Sequence, residues 1–435
     1  MESLWSATAS LPVFPRLEAD KRTDVLIIGG GMAGLLCAYL LEQAGVSYLL
    51  AEAGEIGAGV TGNTTGKITA QHGLEYARLL KEFPVELVKG HWQAQTQAVE
   101  DLSRLCREIP CDFEEKDAFV FARGNLEALE KEALAMAKLG AAPELVSNLP
   151  LPFVAQGLKI PHQGQFHPLK FLEGIARGLH IYEHTRVLEL SGNTAVTDRG
   201  DIRAKKIIVT THFPFVNRHG AYFLKMYQQR SYVLALEGAA QVDGMYIEEG
   251  PGGLSFRNYG NLLLLGGGGH RTGKPGGGWD YLRQKVQQYY PTAQERYHWA
   301  AQDCMTLDGM AYAGPYSRGT RNLYVATGFH KWGMTGSMAA ATLLRDMVLE
   351  KDNPYARVFA PDRPMLRPQL GVNAWEAIRS LLTFRTPRCP HLGCALVWNP
   401  QEHAWDCPCH GSRFDERGGL LDNPANRSLK KPPEA

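Results

Sequence analysis

The apolar positions of this chain change period along its length. Val25 to Ile28 form an unbroken apolar run closed by Gly29, Gly30 and Gly31; from about Met32 to Ala44 apolar residues recur every three to four positions, and Tyr48 to Ala51 is again apolar. A short apolar run bounded by turn residues suits a strand and the 3.6-residue period suits a helix, so this stretch predicts strand, glycine turn, helix, strand. The same order of strand, glycine turn and helix returns in NLYVATGFHKWGMTGSMAAATLLRDMV, near residue 323. KIIVTTHFPF (206–215) reads as a further strand ending in small polar residues, with GQFHPLKFLEGIARGL and IYEHTRVLEL as a helix and a strand leading into it. Residues 76–150 read as helix-rich, with a periodic run from about Leu126 to Leu139. Between 228 and 271, RSYVLALEG, GGLSFRNYG and NLLLLGGGGH alternate like antiparallel strands. In VNAWEAIRSLL, Trp375, Ile378 and Leu382 share one helical face.

Composition bounds what these elements build. At 435 residues, 44% apolar and 21% charged, the chain suffices for two or three domains of an ordinary globular enzyme. Its net charge of +1 gives no electrostatic footprint for nucleic acid. No stretch reaches the roughly eighteen continuous apolar residues of a membrane span. There is no internal repeat or low-complexity segment. The N-terminus lacks the basic, apolar and cleavage regions of a signal peptide, so a cytoplasmic location is expected. Of the eight cysteines, Cys37 reads as helix packing and Cys106, Cys111 and Cys304 as free thiols; the other four crowd near the C-terminus.

The first glycine turn carries candidate chemistry. Gly29, Gly31 and Gly34 hold the three positions of GxGxxG, and Glu52 closes the second strand eighteen residues after Gly34. In a dinucleotide site these glycines give a tight turn, close approach to the pyrophosphate and close helix packing, while the helix N-terminus at Met32 and Ala33 faces negative charge. Glu52 would accept from the adenosine ribose hydroxyls. The fingerprint does not separate NAD from FAD. Gly266 to Gly269 lead into RTGKPGGGW rather than a helix, so they are no second nucleotide site, which counts against an NAD-linked flavin reductase.

The C-terminal pattern is denser. CPHLGC (Cys389 to Cys394) and CPCHGSRF (Cys407 to Phe414) place four Cys and two His within 22 residues. Each loop mixes the two types, Cys389 with His391 and Cys407 with His410, and the fifteen residues between His391 and Cys407 allow a hairpin that brings the loops together. A zinc knuckle uses the same atoms but usually pairs Cys with Cys and His with His. Small buried cysteines are common singly, and a disulfide-stapled secreted module would go with a signal peptide.

The two loops resemble a Rieske site, where a [2Fe–2S] cluster has two thiolates on one iron and two imidazoles on the other. The resemblance implies Cys389, His391, Cys407 and His410 as ligands and a one-electron carrier. From the Rieske proteins of cytochrome bc-type complexes it also implies a disulfide between Cys394 and Cys409, a Ser412 hydroxyl on a cluster sulfur, and a cover loop at Asn423-Pro424-Ala425. In the cytoplasm such a disulfide would have to be shielded beside the cluster. Phe414 stands where high-potential members carry Tyr, which implies a potential low in the Rieske range of about −150 to +300 mV.

GEIGAGVTGNTTGKITAQHG and the segment near residue 323 resemble FAD enzymes of the D-amino-acid oxidase and sarcosine oxidase (DAO) superfamily over about Thr23 to Leu349, in the branch fused to a C-terminal Rieske segment. The resemblance implies an α/β fold: a Rossmann-like FAD-binding domain of the DAO/glutathione-reductase type from residues 1–75, 151–215 and 301–360, and an antiparallel-sheet substrate domain from 76–150 and 216–300. Residues 361–388 would be a linker with a helix, and 389–435 a minimal Rieske [2Fe–2S] module. Rieske domains usually bring several strands before the first ligand loop, and about 27 residues, Asp362 to Arg388, leave no room for them. The module is therefore expected to lack a strand base and to dock on the flavoprotein body, with its apolar surface covered by that body or another subunit. Membrane contact is the runner-up for the helix.

In the same resemblance Thr61 and Thr65 run past the pyrophosphate toward the isoalloxazine, and the Val187 backbone meets the adenine. Gly328, Gly333, Met334 and Thr335 set a helix N-terminus against the flavin C2 carbonyl, favouring the anionic reduced ring. Lys67, His72 and Lys331 lie in stretches that line the flavin: the lysines to stabilise negative charge, His72 to deprotonate an ammonium substrate. Each could equally be a loop residue satisfied by backbone contacts. Arg257 and Arg230 are candidates to grip a substrate carboxylate, or else surface or packing arginines. Leu264 stands where superfamily amine oxidases place an oxygen-activating Lys, which suits a dehydrogenase, and Cys304 is not placed for a covalent flavin link.

The implied activity is oxidation of a C–N bond in a small amine or amino acid, with electrons passed singly through the cluster to an acceptor protein or quinone. A relay between protein partners without organic substrate is the alternative from another class; a cluster serving as redox sensor or structural remnant is a third. Homo-oligomerisation is open.

Overall fold

The computed structural model describes residues 2–124, 126–250, 252–384 and 386–430, so the last five residues of the expected C-terminal module lie outside the described residues. The first apolar run becomes the strand Lys21–Ile28, buried from Val25 onward, inside an eight-stranded sheet. It pairs in parallel with Tyr48–Ala51 and with Asp201–Val209, which in turn pairs in parallel with Leu323–Thr327. Val25 and Ile27 face a core shared with the helices Met32–Gln43 and Gly333–Val348, while Leu26 and Ile28 face a second core around Tyr222 and Tyr316. Burial on both faces is why parallel strands read as continuous apolar runs.

A second sheet of nine strands forms the other half of the body. It is antiparallel except where Met245–Glu248 runs parallel to Glu114–Ala122, so the expected purely antiparallel sheet is a mixed one. Residues 76–150 hold the helices Tyr76–Glu82, Val85–Glu108 and Leu126–Lys138, but also the strands Glu114–Ala122 and Glu144–Ser147. The first of these has an exposed acidic head and a fully buried tail, so it shows no alternation. Gln156–Gln165 joins this sheet through Glu114–Ala122, and Gln294–Thr306 runs across residue 300, so the sheets do not divide at the expected boundaries.

The C-terminal module has a strand base, contrary to expectation. Val397–Asn399, Ala404–Asp406, Arg413–Asp415 and Leu420–Asp422 form an antiparallel sheet. These three-residue strands lie between and after the ligand loops, so they need none of the upstream linker. Leu396, Phe414, Ala425 and four cysteines make their core. The linker folds into the helix Pro368–Leu382, whose Asn373 and Ser380 are buried. The apolar stripe points outward, with Trp375, Ile378 and Leu382 at 63%, 51% and 66% exposure, so the flavoprotein body does not cover it. Among the described residues no helix is long and apolar enough to cross a membrane.

Candidate active site

A cavity of about 1030 Å³ takes its walls from both sheets and from the C-terminal module. The glycine turn lies on it: Gly29 has φ +111°, and a Cβ on Gly34 would stand 1.9 Å from the Gly29 carbonyl oxygen, so the helix packs on the turn only because residue 34 is glycine. Gly29, Gly31, Met32, Ala33 and Glu52 line the cavity. Glu52 accepts from the N–H of Gly30 (2.6 Å) and of Gly54 (2.8 Å), bracing the turn. Thr61 also lines it and accepts from the Met32 N–H at 3.0 Å. Thr65, Lys67, Val187, Lys331, Gly333 and Met334 complete the set that the structure brings to this wall; Gly34, Gly328 and Thr335 lie behind it.

Two expected catalytic side chains do not reach the wall. His72 is turned away: its Nε2 lies 2.9 Å from the Thr69 carbonyl and 3.3 Å from Thr335 Oγ1, and its ring stacks 4.8 Å from Trp332, which does line the cavity. Its Nδ1 is 3.5 Å from Glu75, which His91 approaches from the other side at 3.4 Å. Arg257 is fully buried, donates to the Gly66 carbonyl at 2.5 Å and lies over the Trp5 ring. Burial brings its pKa down to about 9. Leu264 belongs to the core, and its strand presents Gly266, Gly267 and Gly269 to the cavity instead.

The charges that do line the cavity are unusual. Burial, with the Arg257 charge adding to it, brings Lys67 down to about 7; its Nζ donates to Thr65 Oγ1 at 3.2 Å. Burial also lowers Lys331, opposed by the nearby carboxylate of Asp303. Asp303 itself is raised by burial, opposed by Lys331, His212 and Arg230. No motif pointed to Asp303; the only signal was one acid inside the strand segment AAQDCM. Arg230 reaches the wall, but its guanidinium is already paired with Glu402 of the C-terminal module.

At the other site the two ligand loops converge. The rings of His391 and His410 are 4.9 Å apart at 90°. His391 Nε2 lies 3.0 Å from Asn217 Oδ1, and His410 Nε2 lies 3.1 Å from the Phe223 carbonyl. Both Nδ1 atoms are buried without a partner, as expected of nitrogens reserved for iron. Burial, then the neighbouring His410, lowers His391 to about 3, keeping it neutral as a ligand must be. Hydrogen bonds from Cys389, Cys394 and Cys409 hold the Cys407 thiol well below the usual range. The sulfurs of Cys394, Cys407 and Cys409 lie within 4.8 Å of one another, a grouping that a soft ion could share. A site built on those three alone would leave both imidazole nitrogens orphaned, so the donor set fits Cys389, His391, Cys407 and His410 around a [2Fe–2S] cluster. The sulfurs of Cys394 and Cys409, the pair for which a disulfide is implied, lie within 4.8 Å of each other.

Residues 24–347 match the family profile of FAD dependent oxidoreductases (DAO), and residues 382–433 match that of the Rieske [2Fe-2S] domain. The chain is a DAO-family FAD-dependent oxidoreductase with a C-terminal Rieske domain. It is 34% identical to a Bacillus subtilis (strain 168) protein named as a Rieske 2Fe-2S iron-sulfur protein, YhfW, over 99% of this chain and 97% of that one. A 42-residue stretch, 10% of this chain, is 55% identical to cytochrome b6-f complex iron-sulfur subunit 2 of Trichormus variabilis, covering 24% of that protein. In fold it is similar to glycine oxidase from Geobacillus kaustophilus (TM-score 0.65, 20% identity, 79% of this chain and 99% of that one). L-proline dehydrogenase from P. horikoshii is alike to the same degree (TM-score 0.65, 16% identity, 79% and 98%).

In this oxidoreductase the two cofactor sites adjoin. Asp422, Asn423, Pro424 and Ala425 of the Rieske domain line the same cavity as the glycine turn. The Asn423 amide donates to the carbonyls of Thr211 and Phe213, the latter at 2.9 Å. The Phe213 ring sits 6.4 Å from His391 and 6.1 Å from His410. Gln228 donates to the His410 carbonyl (2.7 Å) and Gln302 to that of Gly411 (2.8 Å), tying the second ligand loop to the body. The Ser412 hydroxyl bonds the Cys389 sulfur and accepts from the Ala425 N–H at 3.0 Å, linking ligand loop to cover loop.

Proposed function

We propose that this oxidoreductase is a dehydrogenase of small amines or amino acids that delivers electrons through its Rieske domain to an external one-electron acceptor, a protein or a quinone. When bound, FAD takes up two electrons with a hydride from a C–H bond beside an amine nitrogen, and the [2Fe–2S] cluster passes electrons one at a time. The observation that carries this reading is the shared wall: the cover segment of the cluster site lines the flavin cavity, with Phe213 packed against both ligand imidazoles.

The chain's own residues fit the rest of the task. Gly29, Gly31 and the N-terminus of the helix Met32–Gln43 offer backbone N–H groups to a pyrophosphate. The helix Gly333–Val348 starts on the cavity and favours negative charge at its first turn. Lys67 Nζ, with its pKa near 7, can accept a proton from an ammonium substrate at neutral pH, the part expected of His72. The docked module supplies one side of the cavity through Leu421 to Asn426.

The test is anaerobic. Secondary amines and amino acids are added to purified holoenzyme while its visible spectrum and low-temperature electron paramagnetic resonance are recorded. A Rieske-type signal that grows as the flavin bleaches supports the proposal. A bleached flavin beside a silent cluster removes the relay, and reduction by a protein donor alone removes the organic substrate.

A further inference from the structure

The cavity that would hold flavin and substrate together has fewer free cations than its sequence suggests. Among the described residues, three arginines line it: Arg186, Arg230 and Arg413. Arg230 lies on the strand Met226–Glu237 and is bound through Nε and Nη2 to both carboxylate oxygens of Glu402, from the Rieske domain. Tyr232 donates its hydroxyl to the same carboxylate at 3.0 Å. Arg413 is held by Asp406 and Glu402 at 2.8 Å and by Asp422 at 3.3 Å. Arg186 stands beside Val187, where the adenosine half of the cofactor is expected. Arg257 is sealed away from the wall, Lys331 has the Asp303 carboxylate nearby, and burial with the Arg257 charge lowers Lys67 from the usual lysine range to about 7.

One anion is in the opposite condition. Glu248 is committed to Arg123 at 2.7 Å and to the Leu254 N–H at 2.9 Å. Its neighbour Glu249 also lines the cavity, and Glu249 Oε2 is buried with no hydrogen-bond partner. A buried carboxylate oxygen without a donor is costly until a ligand supplies one. Val120, Ile247 and Val233 give the same cavity apolar wall.

We propose that the docked Rieske domain fills the carboxylate-binding position of the cavity with its own Glu402, so that the substrate is an amine without a carboxylate, its N–H donors received by Glu249. The proposal rests on the amine-dehydrogenase reading above and narrows it. An amino acid would have to displace Glu402 from a buried arginine before its own carboxylate could be held, whereas an amine meets an acceptor already waiting.

The test uses anaerobic holoenzyme and pairs that differ by one carboxylate: pyrrolidine with proline, putrescine with ornithine, dimethylamine with sarcosine. Flavin bleaching is followed for each. Binding is read separately, from the concentration of each compound that gives half its limiting rate of bleaching, so that every probe keeps the N–H donors that Glu249 would receive. The amine of each pair is expected to bleach at least about tenfold faster and to bind at least about tenfold tighter, a difference of about 1.4 kcal/mol. E249Q, with flavin and iron content unchanged, is expected to weaken the amines by a similar factor. Amino acids that match or outdo their amines, or an E249Q enzyme that binds amines as before, would overturn the proposal while leaving the dehydrogenase intact. A flavin that dithionite reduces but neither class bleaches would remove the dehydrogenase reading and this inference with it.

Discussion

The Rieske domain is fastened to the flavoprotein body by a buried charge cluster, and breaking it should be costly. Arg230, Glu402 and Arg413 have side chains only 4%, 3% and 7% exposed. The Arg230 Nε to Glu402 Oε1 distance is 2.9 Å. At an effective dielectric constant of about 20, two unit charges at that distance attract by roughly 6 kcal/mol. Desolvation cancels much of that attraction, so the pair contributes little against an apolar replacement of both partners. Removing one partner is different, because the other charge stays buried and unmatched, a loss of about 3–5 kcal/mol. E402Q leaves Arg230 without its carboxylate, whereas R230M leaves Glu402 with Arg413, the Tyr232 hydroxyl and the Asn399 amide. The assay is anaerobic urea unfolding of the holoenzyme, followed by the visible circular dichroism of the cluster for E402Q, R230M and the double variant. E402Q is expected to lose about 3–5 kcal/mol and R230M less, because Arg413 still matches Glu402, with the double variant losing at least about 1 kcal/mol less than the sum, the coupling of groups in direct contact. An E402Q loss under about 1 kcal/mol, or strict additivity, would refute a buried electrostatic clamp.

Gly34→Val should yield protein that keeps iron but loses flavin, because any Cβ at residue 34 collides with the Gly29 carbonyl; flavin absorbance against iron content reads this directly. Substrate-driven flavin reduction should fall about tenfold per pH unit below a midpoint near 7, where Lys67 Nζ is protonated and can take no proton, and level off above it. In Lys67→Met that limb should vanish, and a limb persisting at the same midpoint would assign the base elsewhere. Ser412→Ala removes a hydrogen bond to the Cys389 sulfur and should lower the cluster potential by about 60 mV, the one-electron equivalent of about 1.4 kcal/mol. Protein-film voltammetry measures it, and an unchanged potential would place the hydroxyl outside the cluster's hydrogen bonds. His391→Ala should abolish the Rieske resonance signal while flavin absorbance stays, whereas a zinc-loaded wild-type site would contradict the assigned ligands.

The sequence alone determined what depends on near neighbours. The strand, glycine turn and helix around Gly29 are local because the turn, the Gly34 approach and the helix N-terminus all lie within about ten residues, and both-face burial leaves a legible apolar run. The two Cys-x-His and Cys-x-x-His loops were equally plain, since iron ligands on one loop must be adjacent in sequence. Only the tertiary structure decided where side chains point. Glu402 meets Arg230 across 172 residues, and nothing near either residue foretells the other. His72 and Arg257 sit on the expected segments, but packing turns one behind Trp332 and seals the other under Trp5. The strand Glu114–Ala122 escaped detection because its buried half shows no alternation. The base of the Rieske domain escaped because three-residue strands carry too little pattern to read. Whether a charge faces a cavity, a core or another charge is set by register and by packing between elements far apart in the chain, and periodicity carries no information about that.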